Sequence, residues 1–304
     1  MQNESKISTL NNGFHLFSRI SGDGPTKLLC VHGGPGGTHE EFENFGEELK
    51  KYKVQVTMYD QLGSFYSDQP DFNKTNNKKF LSIDYYLNEL EEVRKKLGWD
   101  QFYLLGHSWG GLLAQEYALK YGKHLKGLIL MSMIDNIPEY ISYINYLREQ
   151  TFSEQEVSYM KSVKSSEHFE DPMYNLLVQK LYKKYVMRHP ENGPHHLVRT
   201  NAAPVYNYFQ GNNEFVVTGI LKNWDNRNNT SKIKVPTLLT FGEYETMPLK
   251  SAERMHHQLL HSRFVLTPDG GHCHSVDNPR AFFNTLGNYI EDVNNSRKEF
   301  SNVK

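Results

Sequence analysis

The sequence predicts an α/β protein: a mostly parallel, doubly wound sheet with helices on both faces and an inserted helical cap. Three observations carry this. Short apolar runs alternate with amphipathic stretches through residues 14–134, and the same rhythm resumes after about residue 231. Between them lies a tyrosine-rich segment with helical patterning and no convincing strand run. A core of residues 1–134 and 231–304 with a cap of 135–230 follows, and 304 residues are enough for one large domain carrying an insertion.

Each element has its own signature. Phe14, Leu16 and Ile20 against His15 and Ser18 alternate as in an antiparallel strand with one wet face. Lys27–Val31 is a continuous apolar run, the mark of a strand buried on both faces, and it ends in His32-Gly33-Gly34-Pro35-Gly36-Gly37. Phe42, Phe45 and Leu49 recur at helical spacing within 40–52, Val54–Tyr59 reads as a strand, and polar residues 68–79 as a surface loop. Ser82 is placed to cap a helix with an apolar stripe of Leu87, Leu90, Val93 and Leu97, and Gly98 to end it. Phe102–Leu105, Leu125–Met133, Lys234–Phe241 and Arg263–Leu266 are further strands. Glu139–Glu149, Ser153–Val163 and Pro172–Met187 are cap helices, Ser251–Leu260 is a core helix, and a last helix spans about Pro279 to Val293 before a polar tail. No internal repeat is visible.

Composition excludes several classes of function. Lys plus Arg number 34 against 35 Asp plus Glu, a net charge of −1, so neither a nucleic-acid footprint nor a basic membrane-binding surface is expected. The 2 cysteines, Cys30 and Cys273, suit a reducing compartment without a disulfide framework. The first residues are too polar for a signal peptide, and no apolar run approaches the roughly 18 residues of a membrane helix. A cytoplasmic protein without cofactor or metal is expected; the oligomeric state is not legible.

The chemistry centres on Gly106-His107-Ser108-Trp109-Gly110, set between an apolar strand and a helix. This is a G-x-S-x-G nucleophile elbow in the context the motif requires, with Ser108 as nucleophile. The bland alternative is a tight turn in which Ser108 caps the helix. The expected chain order of serine, acid and histidine points to His272, in the glycine-flanked loop after the last strand, as general base, with His274 as competitor. His195, His196, His256 and His257 lack that placement. For the acid, Glu243 and Glu245 follow one sheet strand and Asp135 follows another; Glu245 is favoured. Gly34, in the glycine loop, and Trp109, after the nucleophile, are the expected oxyanion donors. That loop lacks the Lys-Ser/Thr pair of a phosphate-binding loop, and His272-x-His274 is not a metal spacing.

Together the segments His32–Gly37, Tyr59-Asp60-Gln61-Leu62-Gly63-Ser64 with Ser67, Gly106–Gly111, Asn213-Glu214-Phe215 with Gly219, and Trp224-Asp225 resemble the proline iminopeptidases of the α/β-hydrolase fold, over about residues 13–290. The resemblance implies a serine exopeptidase that releases an N-terminal residue, preferably proline, from short peptides or amino-acid amides with a free N-terminus. It implies Ser108 as nucleophile, His272 as base, Gly34 and Trp109 as oxyanion donors, and Glu214 in the cap as ligand of the substrate amine. The family pattern G-E-x-D-E meets Gly242-Glu243-Tyr244-Glu245-Thr246 here, read as one residue shorter. Glu245 is therefore taken as the triad acid, leaving Glu214 and Glu243 for the ammonium, with Tyr206, Tyr208 and Phe209 as candidates to line a ring pocket. A carboxylesterase or amidase of the same fold, and a non-catalytic ligand-binding protein, are the alternative functions.

Overall fold

The computed structural model describes residues 3–194 and 200–296. Its sheet has eight strands: β1 (Asn3–Thr9), β2 (His15–Ser21), β3 (Thr26–Val31), β4 (Val54–Tyr59), β5 (Phe102–His107), β6 (Leu125–Met131), β7 (Thr237–Gly242) and β8 (Ser262–Thr267). They lie in the order β1-β2-β4-β3-β5-β6-β7-β8; β2 runs antiparallel to both its neighbours, β1 and β4, and β3 to β8 are parallel to one another.

Side-chain alternation along these strands divides the interior into two layers. Leu28, Cys30, Val56, Tyr103, Leu105 and Ile129 face one side, where α1 (Phe45–Glu48) and α10 (Pro279–Asn294) cover them through Phe45, Phe282 and Leu286. Leu29, Val31, Leu104, Leu128 and Leu130 face the other, under α2 (Ile83–Leu97), α3 (Trp109–Tyr121) and α8 (Leu249–Gln258). The predicted caps form: Ser82 Oγ accepts the Tyr85 N–H, and Gly98 adopts a left-handed conformation at the end of α2.

Between β6 and β7 the chain makes α4 (Ile137–Thr151), α5 (Glu154–Ser166), α6 (Pro172–Leu181) and α7 (Ala203–Phe209), and α9 (His274–Asp277) follows β8. Asn136, Ser153 and Asp171 cap the first three of these helices. α6 stops short of the expected Met187, because its last turn widens into a π-turn at Tyr182–Val186. Tyr185 and Val186 carbonyls freed there accept the N–H groups of His272 and Cys273, so the cap is pinned to the histidine loop.

Two further differences have physical causes. β1 was not foreseen, because an edge strand exposed almost throughout carries no apolar pattern. Residues 40–52 form short separate turns rather than one helix. Phe42, Phe45 and Leu49 are buried as their spacing implies, but close packing at Gly46, where a Cβ would lie 2.1 Å from Ser21 Oγ, sets the path of the backbone.

Candidate active site

Ser108 sits between β5 and α3 with φ +52° and ψ −119°; it occupies the N-cap position, but its side chain makes no capping bond to the helix. The strand and helix meet so closely that a Cβ on Gly106 would lie 2.0 Å from the Gly110 carbonyl oxygen. One on Gly110 would lie 2.0 Å from that of Val31. Only glycine fits, which explains the spacing of the motif.

His272 reaches the same place from the loop after β8. Its Nδ1 lies 2.6 Å from Glu245 Oε1, and its Nε2 is buried without a hydrogen-bond partner among the described residues. Ser108, His272 and Glu214 line one cavity of about 890 Å³ at the carboxyl ends of the strands. Burial works to raise the Glu245 carboxyl, but the His272 charge and hydrogen bond, with that of Ser132, hold it down at about 2. For His272 burial favours the neutral ring, and the carboxylates of Glu245 and Glu214 outweigh it, so its pKa is raised.

The loop around Glu245 is not short. Gly242-Glu243-Tyr244-Glu245-Thr246 fills all five positions of G-E-x-D-E; glutamate stands in the aspartate's place and threonine in the last glutamate's. Thr246 Oγ1 lies 3.1 Å from His272 Nδ1 and 3.3 Å from Glu214 Oε1. The other acid candidates lie elsewhere. Asp135 is wholly buried against Arg254 Nη2 at 2.6 Å and the Thr230 hydroxyl at 2.7 Å, an ion pair at the foot of the cap. Glu243 is exposed and accepts the Asp269 N–H at 2.8 Å; it does not line the cavity, so the structure does not bring it to the ammonium position.

Glu214 is nine-tenths enclosed. Its Oε1 accepts the Tyr140 hydroxyl at 2.7 Å and stands 4.0 Å from His272 Nε2, and its N–H donates to the Tyr182 hydroxyl at 3.1 Å. Tyr206 lines the cavity, Tyr208 is exposed, and Phe209 packs on Trp109 with ring centroids 4.8 Å apart. A second, much smaller recess beside Ser108 is lined by Trp109, Leu112, Met133, Ile137 and Met247 together with the polar Tyr140, Gln210 and Glu214.

Gly34 has φ +108° in a loop held from behind, and Asp60 and Gln61 do the holding. Gln61 accepts the Trp109 indole N–H at 2.9 Å and donates its own N–H to His32 Nε2 at 3.1 Å. Asp60 accepts the His39 N–H at 2.7 Å. This buttress joins the glycine loop to the elbow, a role that motif reading alone did not assign. Also unforeseen is Glu41, which lines the cavity while accepting the Gly33 N–H at 3.1 Å and approaching His107 Nδ1 at 3.3 Å. Of the remaining histidines, His274 is fully buried behind the triad, His256 bonds Ser262 at 2.7 Å, and His195 and His196 fall outside the described residues. His39, Glu40 and Glu43 bring ligand-type atoms within 4.8 Å of one another, but His39 is engaged by Asp60 and Glu43 by Arg19. No described helix is long and apolar enough to cross a membrane.

Residues 27–279 match the α/β hydrolase fold family. The chain is 34% identical to a proline iminopeptidase of Flavobacterium johnsoniae, over 96% of this chain and 98% of that protein. It is 32% identical to one of Saccharolobus solfataricus, over 93% and 90%. The chain belongs to the proline iminopeptidase family. It is a hydrolase, and its fold is shared by solved structures of low identity. VinJ superposes with a TM-score of 0.87 at 22% identity, covering 95% of this chain and 99% of that one. The proline iminopeptidase of Mycobacterium smegmatis gives 0.83 at 20%, covering 96% and 99%.

Proposed function

We propose that the protein is a serine exopeptidase that removes an N-terminal residue, preferably proline, from short peptides. Ser108 attacks the first carbonyl, His272 Nε2 takes the hydroxyl proton and returns it to the leaving amine, and Glu245 orients and charges the imidazole. Backbone N–H groups of Gly34 and Trp109 receive the oxyanion. Water then cleaves the acyl-enzyme by the same proton transfers in reverse.

The observation that carries the exopeptidase reading is the enclosed Glu214 carboxylate 4.0 Å from His272 Nε2. A substrate ammonium held there sits one residue from the scissile bond, while a blocked N-terminus leaves the carboxylate desolvated and unpaired, at a cost of about 1–3 kcal/mol. Pairing of Glu214 with the ammonium also weakens one of the three carboxylate fields, those of Glu245, Glu214 and Glu41, that keep His272 protonated, so a substrate with a free amine helps release its own base.

A panel of prolyl, alanyl and leucyl arylamides, an N-blocked prolyl amide and a nitrophenyl ester tests this. Turnover of the free prolyl amide well above the others is expected. Equal turnover of free and blocked amides would instead support an amidase or esterase, and tight binding without any turnover a ligand-binding protein.

A further inference from the structure

Behind the triad lies a buried chain of side chains that the proposed reaction does not use. Glu245 Oε1 is crowded with donors: His272 Nδ1 at 2.6 Å and the N–H groups of Thr246 at 2.8 Å and Met247 at 3.3 Å. Among the described residues Oε2 has one hydrogen-bond partner, the Ser132 hydroxyl at 2.6 Å. Ser132 Oγ is 3.2 Å from His274 Nδ1, and His274 Nε2 is 3.1 Å from Thr240 Oγ1. Ser132, Thr240 and His274 are all fully buried.

We propose that Ser132 and His274 are positioning residues that hold Glu245 Oε2 and so fix the carboxylate whose other oxygen orients His272. The inference rests on the reading of Glu245 as triad acid. Proton counting gives the chain a single direction. Glu245 Oε2 and the His272 carbonyl can only accept, so the Ser132 proton goes to one of them and its oxygen accepts from His274 Nδ1–H; His274, kept neutral by burial, then has Nε2 free to accept from the Thr240 hydroxyl. Ser132 has one proton to give and two acceptors in reach, Glu245 Oε2 and the His272 carbonyl at 2.8 Å. The shorter bond to the charged oxygen takes it.

The backbone is committed to this arrangement. Ser132 has φ +53°, left-handed for a residue with a side chain, and its N–H donates to the Thr240 carbonyl at 2.9 Å. A glutamate has one more rotatable bond than an aspartate, so a hold on one oxygen leaves the other free to swing; the Ser132 hydroxyl removes that freedom. The charged and titratable neighbours are few. Glu245, His272 and His107 face His274, while Glu245, Glu214 and Glu41 face His272.

The test measures kcat and KM of the full chain on a prolyl arylamide, or on the nitrophenyl ester, which the same triad serves. Ser132→Gly deletes the hydroxyl at a φ that glycine adopts freely. It is expected to lower kcat about 10- to 100-fold and to leave KM within about twofold. His274→Gln, which breaks the chain at its other end, gives a smaller loss of the same kind and reads the proposal independently if Ser132→Gly does not fold. In a double-mutant cycle, Ser132→Gly adds little once Glu245→Asp has withdrawn Oε2. Unchanged kcat in both single variants, or full additivity in the cycle, overturns the proposal. Glu245→Gln separates the two levels. If it costs little, the acid assignment itself falls; if it is severe while Ser132→Gly is silent, only the positioning role falls.

Discussion

His272 Nε2 and Glu214 Oε1 stand 4.0 Å apart, so the proposed general base and the carboxylate proposed to face a substrate amine share one corner of the cavity. Catalysis and recognition are therefore coupled electrostatically, and Glu214→Gln should change both. For substrates with a free amine, kcat/KM is expected to fall about 10- to 100-fold, from the loss of a charged hydrogen bond. Blocked substrates should lose far less, and steady-state kinetics on matched free and blocked amides compares them.

The same variant should move the pH profile in a defined direction. Glu245 and Glu214 raise the His272 pKa against the effect of burial, and the base acts only when neutral. With Glu214 uncharged the proton leaves more easily, so the acid limb of kcat/KM shifts to lower pH. A shift to higher pH would contradict the proposed coupling.

Glu245→Gln removes the charge opposite His272 Nδ1 and reverses the hydrogen bond that sets its tautomer. A loss of kcat of about 10³- to 10⁴-fold with little change in KM is expected. A loss confined to KM would move Glu245 to the amine site.

Asp135→Ala should leave turnover per folded molecule unchanged, since Asp135 pairs with Arg254 and Thr230 away from the triad. Arg254 is 32% exposed and keeps Glu139 as a partner, so the expected loss of stability is modest, about 1–3 kcal/mol by denaturant titration. A collapse of kcat in the folded variant would restore Asp135 as a catalytic candidate.

Glu89 offers a test in the core. Burial raises its carboxyl to about 8, against the bond it accepts from the Leu62 N–H. A raised folded pKa means that the contribution to stability is complete below the unfolded value near 4.5 and is lost as pH rises through about 8. Glu89→Gln keeps the acceptor for Leu62 and should flatten the fall in melting temperature across that window.

Much of this was legible because the sequence carries local constraints. The elbow could be read from Gly106 and Gly110, since a Cβ on either would lie 2.0 Å from a backbone carbonyl oxygen, and the buried parallel strands from their continuous apolar runs. Three of the cap helices were readable as helical stretches, but their capping residues and α7 were not. β1 was not, because an exposed edge strand has no burial pattern to display. Nor was the π-turn at Tyr182–Val186, whose freed carbonyls at Tyr185 and Val186 find partners in His272 and Cys273, far along the chain.

Sequence by itself determined the sheet, the insertion, the place of Ser108 at a strand–helix elbow and the candidates for its partners, because backbone sterics and hydrophobic period act over a few residues. It favoured Glu245 but left Glu243 and Asp135 open as alternative loop carboxylates after strands. Only the tertiary structure separated them, putting Glu245 on His272, Glu243 in solvent and Asp135 on Arg254. The physical reason is that a carboxylate's role depends on which opposite charge or donor lies within about 3 Å and how far water is excluded. Both are set by segments distant in sequence, as Ser132, Thr240 and His274 are when they meet behind Glu245.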